Sequence, residues 1–151
     1  MYSTKRLRGD DLAEMKALLR MFGDAFEDPE HYHAHVPGDR YLQERLADNG
    51  FFAVIASAGD AVVGGLAAYE LKKFEQERSE IYIYDLAVDA KHRRQGIATA
   101  LIRALGDAAR AQGAYVMFVQ ADNAEEDAPA RALYEKLASE HIVAHHYDIE
   151  P

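Results

Sequence analysis

Apolar and polar positions switch between a period near two and a helical period along this chain, and the switches outline ten elements. Tyr2 to Leu7 reads as a short first strand. Asp10 or Asp11 then caps a helix with Leu12, Met15, Leu19, Phe22 and Phe26 near one face. Glu27-Asp28-Pro29 ends it, because a residue before proline is pushed out of the helical region. Glu30 to Arg40 is polar and reads as a loop, and Tyr41, Leu42 and Leu46 predict a second short helix closing near Asn49-Gly50. Phe51 to Ser57 is a strand, Gly59-Asp60 a hairpin-type turn, and Ala61 to Leu71 the returning strand, softened by Gly64-Gly65. After the polar loop Lys72 to Glu77, Arg78 to Val88 predicts a central strand and Gly96 to Gln112 the main helix, with Gly113 its stop. Tyr115 to Ala121 is a further strand. Asp127-Ala128-Pro129 opens a helix running to Leu137, with proline in its first turn, and Ile142 to Ile149 predicts a last strand. The order β-α-α-β-β-β-α-β-α-β is mixed α/β, and a sheet covered by helices is its natural packing.

A chain of 151 residues is expected to form one domain with a single core. No apolar run approaches the ~20 residues that span a bilayer. The basic start Met1 to Arg6 is not followed by the apolar stretch of a secretory signal. Cysteine is absent, which excludes disulfides, thiolate metal sites and a cysteine acyl-enzyme, and fits a cytoplasmic setting. The net charge of −9 is unevenly spread. Residues 120–151 hold eight acids against two bases, a net −6. Such a surface repels nucleic acid and anionic membrane and attracts cations, although solubility alone is a sufficient reason for it.

Lys91-His92-Arg93-Arg94 interrupts this acidity between the central strand and the main helix. Amides at a helix start are unpaired and lie at the positive end of the helix dipole, so a loop here can hold a phosphate. Gly96 permits close backbone approach. The dinucleotide fingerprint Gly-x-Gly-x-x-Gly and the P-loop pattern are both missing. Two further residues invite chemistry. Strict alternation puts Asp85 on one face with Ile81, Ile83 and Ala87. It is either a strand-end acid that is solvated or paired with Arg78, or a carboxylate lining a cleft that binds or deprotonates an amine. Tyr134, after Leu133 in the last helix, is either a core residue or a phenol able to donate a proton.

Arg93-x-x-Gly96-x-Ala98 resembles the acetyl-CoA signature Gln/Arg-x-x-Gly-x-Gly/Ala of the GNAT superfamily of N-acetyltransferases. The resemblance extends over Phe74-Glu75-Gln76, Arg78 through Val88, His92 through Ile102, Gly113 to Val116, Val119 to Asp122, Ala132-Leu133-Tyr134 and Asp148-Ile149. These blocks look like the aminoglycoside 3-N-acetyltransferases of that superfamily, the gentamicin-acetylating resistance enzymes.

The resemblance implies the GNAT acyl-CoA N-acyltransferase fold, a mixed central sheet with a splayed central strand, flanked by helices. It implies acetyl-CoA as co-substrate, no metal, an aminoglycoside as acceptor and a homodimer. Gln95, Gly96, Ile97, Ala98 and Thr99, with Arg93 and Arg94, would hold the cofactor diphosphate. Backbone at Leu86, Ala87 and Val88 would hold the pantetheine arm. Asp127 stands where the superfamily often carries Asn, and would be a further cofactor contact. Asp85 becomes the base or a relay to it, and Tyr134 the donor to the departing thiolate. Tyr32, His35, Glu80, Asp122, Glu125, Glu126 and Asp148 become substrate contacts. Tyr32 and His35 match the family, whereas His31 and His33 are particular to this chain. Three histidines alternating on a strand could share one face and bind zinc, but no further ligand is signalled. Glu125-Glu126-Asp127 is either a solvated turn or an acidic rim for a polycation. Two rivals share these residues: a superfamily enzyme for another amine, such as a polyamine or a protein N-terminus, and a non-catalytic module that binds acetyl-CoA or aminoglycoside.

Overall fold

In the computed structural model, residues 1–151 are all described, and they divide into two compact units, Met1–Gln120 and Ala121–Pro151. The first unit holds a five-stranded sheet in the order β1 (Ser3–Arg6), β2 (Phe51–Ala58), β3 (Ala61–Lys72), β4 (Ser79–Val88) and β5 (Ala114–Val119). Neighbours are antiparallel except β4 and β5. Those two run parallel because helix α4 (Ile97–Ala111) crosses between them. Gly113, at φ 85°, ends the crossover in a conformation that glycine adopts without strain.

Helices cover both faces of the sheet, so β2 is a continuous buried apolar run from Phe51 to Ala56 rather than an alternating one. On one face α4 presents Ile97, Leu101, Leu105 and Ala109, spaced at four residues, to Phe52, Val54, Leu66, Ile81 and Ile83. On the other, α1 (Leu12–Ala25) and α3 (Asp39–Ala47) pack Met15, Leu18, Phe22, Leu42 and Leu46 against Phe51, Ala53, Ile55 and Ala67. Gly64 and Gly65 do more than soften β3. A Cβ on Gly65 would stand 2.3 Å from Leu18 Cδ1 and 3.1 Å from the Val54 carbonyl oxygen, so its absence sets the approach of α1 to the sheet. Between α1 and α3 the expected polar loop contains a one-turn helix, α2 (Pro29–Tyr32).

Two features of β4 shape the site. Ala68 pairs with Ile83 but Ala67 pairs with Asp85, so Tyr84 is an extra residue and the strand bulges there. The bulge reverses the alternation. Ile81 and Ile83 face α4, as do Leu86 and Val88 beyond the bulge, whereas Asp85 and Ala87 turn to the side of α1 and α2. The single face expected for Ile81, Ile83, Asp85 and Ala87 is therefore split. The ladder to β5 also stops at Ile83 and Val119. From Tyr84 to Val88 the strand is bonded to β3 alone, and its other backbone edge is open.

In the second unit a short 3-10 turn, Glu125–Asp127, leads into α5 (Ala128–Leu137), with Pro129 in its first turn. The strand expected over Ile142 to Ile149 is not formed: residues 138–151 carry no regular structure. Ile142, Val143, Tyr147 and Ile149 are all exposed. A strand exists only through a hydrogen-bonded partner, and none pairs with this segment. No helix of the chain is long and apolar enough to cross a membrane.

Candidate active site

Asp85 is half-buried on β4 and accepts a hydrogen bond from the Tyr32 hydroxyl, 2.8 Å from Oδ1. Tyr32 is delivered by α2. Asp28 caps that turn, its carboxylate accepting from the His31 amide at 3.1 Å, and Pro29 opens it. The Tyr32 ring then packs 5.9 Å from Phe22 and 5.6 Å from Phe26, with His31 edge-on at 4.8 Å. Burial raises the Asp85 carboxyl above its ordinary range, and the Tyr32 bond and the charge of His31 only partly oppose it. Burial and the neighbouring Asp85 push the Tyr32 phenol far above its usual value, so it stays protonated.

Arg78 is not the partner of Asp85. Its guanidinium lies over the Tyr115 ring at 3.9 Å. Glu80 belongs to that cluster too, accepting from the Tyr115 hydroxyl and standing 4.0 Å from Lys73. At ~3.3 Å per strand residue, Glu80 is roughly 16 Å along β4 from Asp85. The structure thus joins Tyr32 to Asp85 and leaves Glu80 at the other end of the strand.

Tyrosines that the sequence reading passed over complete this face. Tyr84 lies edge-on to Tyr69 at 6.0 Å and tilted against Tyr82 at 5.4 Å, and Tyr82 stacks on Phe118 at 4.7 Å. The Tyr69 phenol is raised by burial and then by the charge of Asp85. The signal was the Tyr82-x-Tyr84 pair just before Asp85, but strict alternation put those tyrosines on the opposite face from the acid.

The loop after β4 is shaped for an anion. The Asp89 amide bonds the Val63 carbonyl at 2.8 Å, and its carboxylate holds His92 Nδ1 at 2.8 Å, which keeps the Asp89 carboxyl below its usual range. Arg93 Nε donates to the Val88 carbonyl at 3.2 Å. Arg94 and Gly96 both take left-handed φ, 62° and 78°. Left-handed residues at the head of a fifteen-residue helix turn successive amides outward. The amides of Gln95, Gly96, Ile97, Ala98 and Thr99 have no acceptor in the protein, the first helical bond being Ala100 to the Gly96 carbonyl. Beside them lies the open edge of Leu86, Ala87 and Val88. This donor set suits a diphosphate followed by an amide-bearing arm.

In the second unit, Arg131 clamps the turn before α5, donating to the carbonyls of Asp122 and Ala124, the latter at 2.7 Å. Tyr134 is half-buried. Burial, then the charge of Asp127, raises its phenol, which therefore holds its proton at neutral pH. Asp122, Glu125, Glu126 and Asp148 are exposed, and Asp148 pairs with His146 at 2.9 Å. His35 pairs with Glu30 at 3.3 Å. His33 Nε2 lies 3.1 Å from the Arg20 carbonyl, packed over Gly23. With α2 in place of a strand, the three histidines share no face.

A five-stranded mixed sheet flanked by helices, with a bulged β4 and an outward-facing amide loop after it, is the fold of the GNAT acetyltransferases. The chain belongs to the acetyltransferase (GNAT) family, whose model matches residues 15–138. It is similar to an aminoglycoside acetyltransferase from an uncultured soil metagenomic sample, with 52% identity and a TM-score of 0.96 over 100% of this chain and 99% of that one. A second such enzyme from an uncultured soil sample, solved in complex with sisomicin, is 33% identical with a TM-score of 0.84, covering 99% and 97% of the two chains. Among curated proteins, N-acetyltransferase 8B of Rattus norvegicus is 40% identical over 68 residues, 45% of this chain and 31% of that protein. The chain thus aligns with about a third of that relative's length.

Proposed function

We propose that the protein transfers the acetyl group of acetyl-CoA to the 3-amino group of gentamicin-class aminoglycosides, as a cytoplasmic homodimer, and so confers resistance to them. The observation that carries this reading is the Asp85 carboxylate, with which no lysine or arginine pairs, facing an aromatic wall next to the open edge of β4. The full-length similarity to an aminoglycoside acetyltransferase supports the choice of acceptor.

Acetyl-CoA supplies an activated acyl group as a thioester. The amides of Gln95 to Thr99, with Arg93 and Arg94, hold its diphosphate, and the backbone of Leu86 to Val88 holds its arm. Asp127 is a further contact. Asp85 accepts a proton from the substrate ammonium, because only the free amine is a nucleophile. A carboxyl raised by burial suits that task better than an ordinary surface one. Tyr134 keeps a proton on its Oη for the departing thiolate. Tyr32, His35, Glu80, Asp122, Glu125, Glu126 and Asp148 contact the polycation, with Tyr32 also bound to Asp85.

Thiol release tests the reading, with acetyl-CoA and a panel of gentamicin, sisomicin, spermidine and an N-terminal alanine peptide. Rapid release with the two antibiotics alone is the expected result. Release with spermidine or peptide alone moves the activity to another amine, and no release with any of them favours a binding module.

A further inference from the structure

The hydrogen bond between Tyr32 and Asp85 joins two elements far apart in sequence, and it is the only protein hydrogen bond the Asp85 carboxylate receives. Oδ2 has no protein partner. The groups around the acid are few. From α2 come Tyr32 and His31, from β3 Tyr69, and from β4 itself Tyr82 and Tyr84. From α1 and its C-cap, Phe22 and Phe26 pack against Tyr32. The Arg45 guanidinium on α3 lies over the Tyr41 ring at 5.5 Å. No lysine or arginine pairs with Asp85, so its ionised form depends on one neutral donor and on His31.

We infer that Tyr32 is a positioning residue for acetyl transfer: its hydroxyl, given to Oδ1, orients the Asp85 carboxylate, keeps it ionised, and leaves Oδ2 to take the amine proton. This rests on the reading of Asp85 as the base. In the step itself an N–H bond of the substrate ammonium breaks and an O–H bond forms at Oδ2. The Tyr32 O–H bond stays intact. The phenol cannot serve as the base, because burial and the adjacent carboxylate hold it protonated. It is a fixed donor because its position is set three ways: the Asp28 cap, the Pro29 start of α2, and the packing against Phe22 and Phe26.

Tyr32→Phe keeps the ring and its packing and removes the donor. A hydrogen bond to the ionised form favours that form, so its loss moves the Asp85 titration to higher pH. Two measurements check this. The first is the carboxyl carbon NMR shift of Asp85 against pH in the wild type and in Tyr32→Phe, with Asp85→Asn identifying the signal. The midpoint should move upward in the Phe variant. The second is kcat/KM for gentamicin against pH. The variant should be lower at all pH values because the carboxylate is no longer oriented, and lower by about a further tenfold on the acid limb, in line with a charge-assisted hydrogen bond.

A purely structural role would instead lower kcat/KM by one factor at every pH. That result, or an unmoved NMR midpoint, overturns the inference. The reading of Asp85 as base fails separately, by full activity in Asp85→Asn. If gentamicin is not acetylated by the wild type while the midpoint still moves, the acceptor assignment falls and the positioning bond stands.

Discussion

Asp85 sits on a covered strand face, where an ionised carboxyl loses water and the Tyr32 hydrogen bond and the charge of His31 only partly compensate. Burial raises its folded-state pKa above the unfolded value. Its contribution to stability is therefore fully present below the unfolded pKa and is lost as pH rises through the folded pKa. Asp85→Asn cannot ionise and can still accept from Tyr32. That variant should melt at a higher temperature than the wild type at about pH 7, and the gain should fade toward about pH 4. Thermal scans at the two pH values read this directly, and a gain of the same size at both would place its origin outside ionisation. Tyr134 makes the complementary case. Its phenol is raised by burial and by Asp127, so its proton is available across the neutral range. Tyr134→Phe preserves the ring, and stability should change little. Turnover should fall by ~10²–10⁴, as expected for the loss of a general acid, with both substrates still bound. Near wild-type turnover in steady-state assays would make Tyr134 a packing residue.

Most elements were readable from residue pattern. The failures came where a strand's surroundings mattered more than its own alternation. Gly113 stopped α4 as propensity requires, whereas α1 ended at Ala25, followed by Glu27 at a left-handed φ of 53°, before Pro29 is reached. Asp28-Pro29 carried a second meaning as the cap and first residue of α2, which the polar composition of 30–40 concealed. The bulge at Tyr84 has no local signature, since it is a mismatch between β3 and β4 and neither strand shows it alone. It decided the most consequential point, which residues share the face of Asp85. The segment 142–149 is rich in β-favouring apolar residues, but without a ladder partner it forms no strand. The loop at Gly96 was legible because its cause is local, a left-handed residue at a helix start. A Cβ there would meet only the Tyr2 hydroxyl, at 3.7 Å, so the constraint is conformational rather than steric. The left-handed conformation costs a β-branched residue roughly 1–2 kcal/mol or more. Gly96→Val should therefore pull the amides out of register and raise KM for acetyl-CoA strongly. Aminoglycoside affinity should stay near wild type. Unchanged acetyl-CoA kinetics in a folded Gly96→Val protein would remove the loop from the cofactor site.

Over the whole molecule, negative charge is unevenly spread along the chain. Net −9 is concentrated in residues 120–151, and Lys91 to Arg94 is a basic island at the head of α4. An acidic segment suits a polycation, and a basic island a diphosphate. Attraction between exposed charges is screened as ionic strength rises, over a Debye length of about 8–10 Å near physiological salt. Gentamicin affinity, measured by calorimetry, should weaken steadily with added salt, and affinity that stays flat would remove the electrostatic part of the account. Asp85, half-buried, should be screened less than the exposed acids, so some salt-resistant binding is expected to remain.

The central claim is that the amine made nucleophilic at Asp85 is the 3-amino group of an aminoglycoside. The most direct test is to acetylate gentamicin with the protein and acetyl-CoA, isolate the product and locate the acetyl group by NMR. A single acetyl on the 3-amino nitrogen, with one equivalent of free CoA released, is the predicted result. An acetyl on any other nitrogen, or no acetylated product, would contradict the claim.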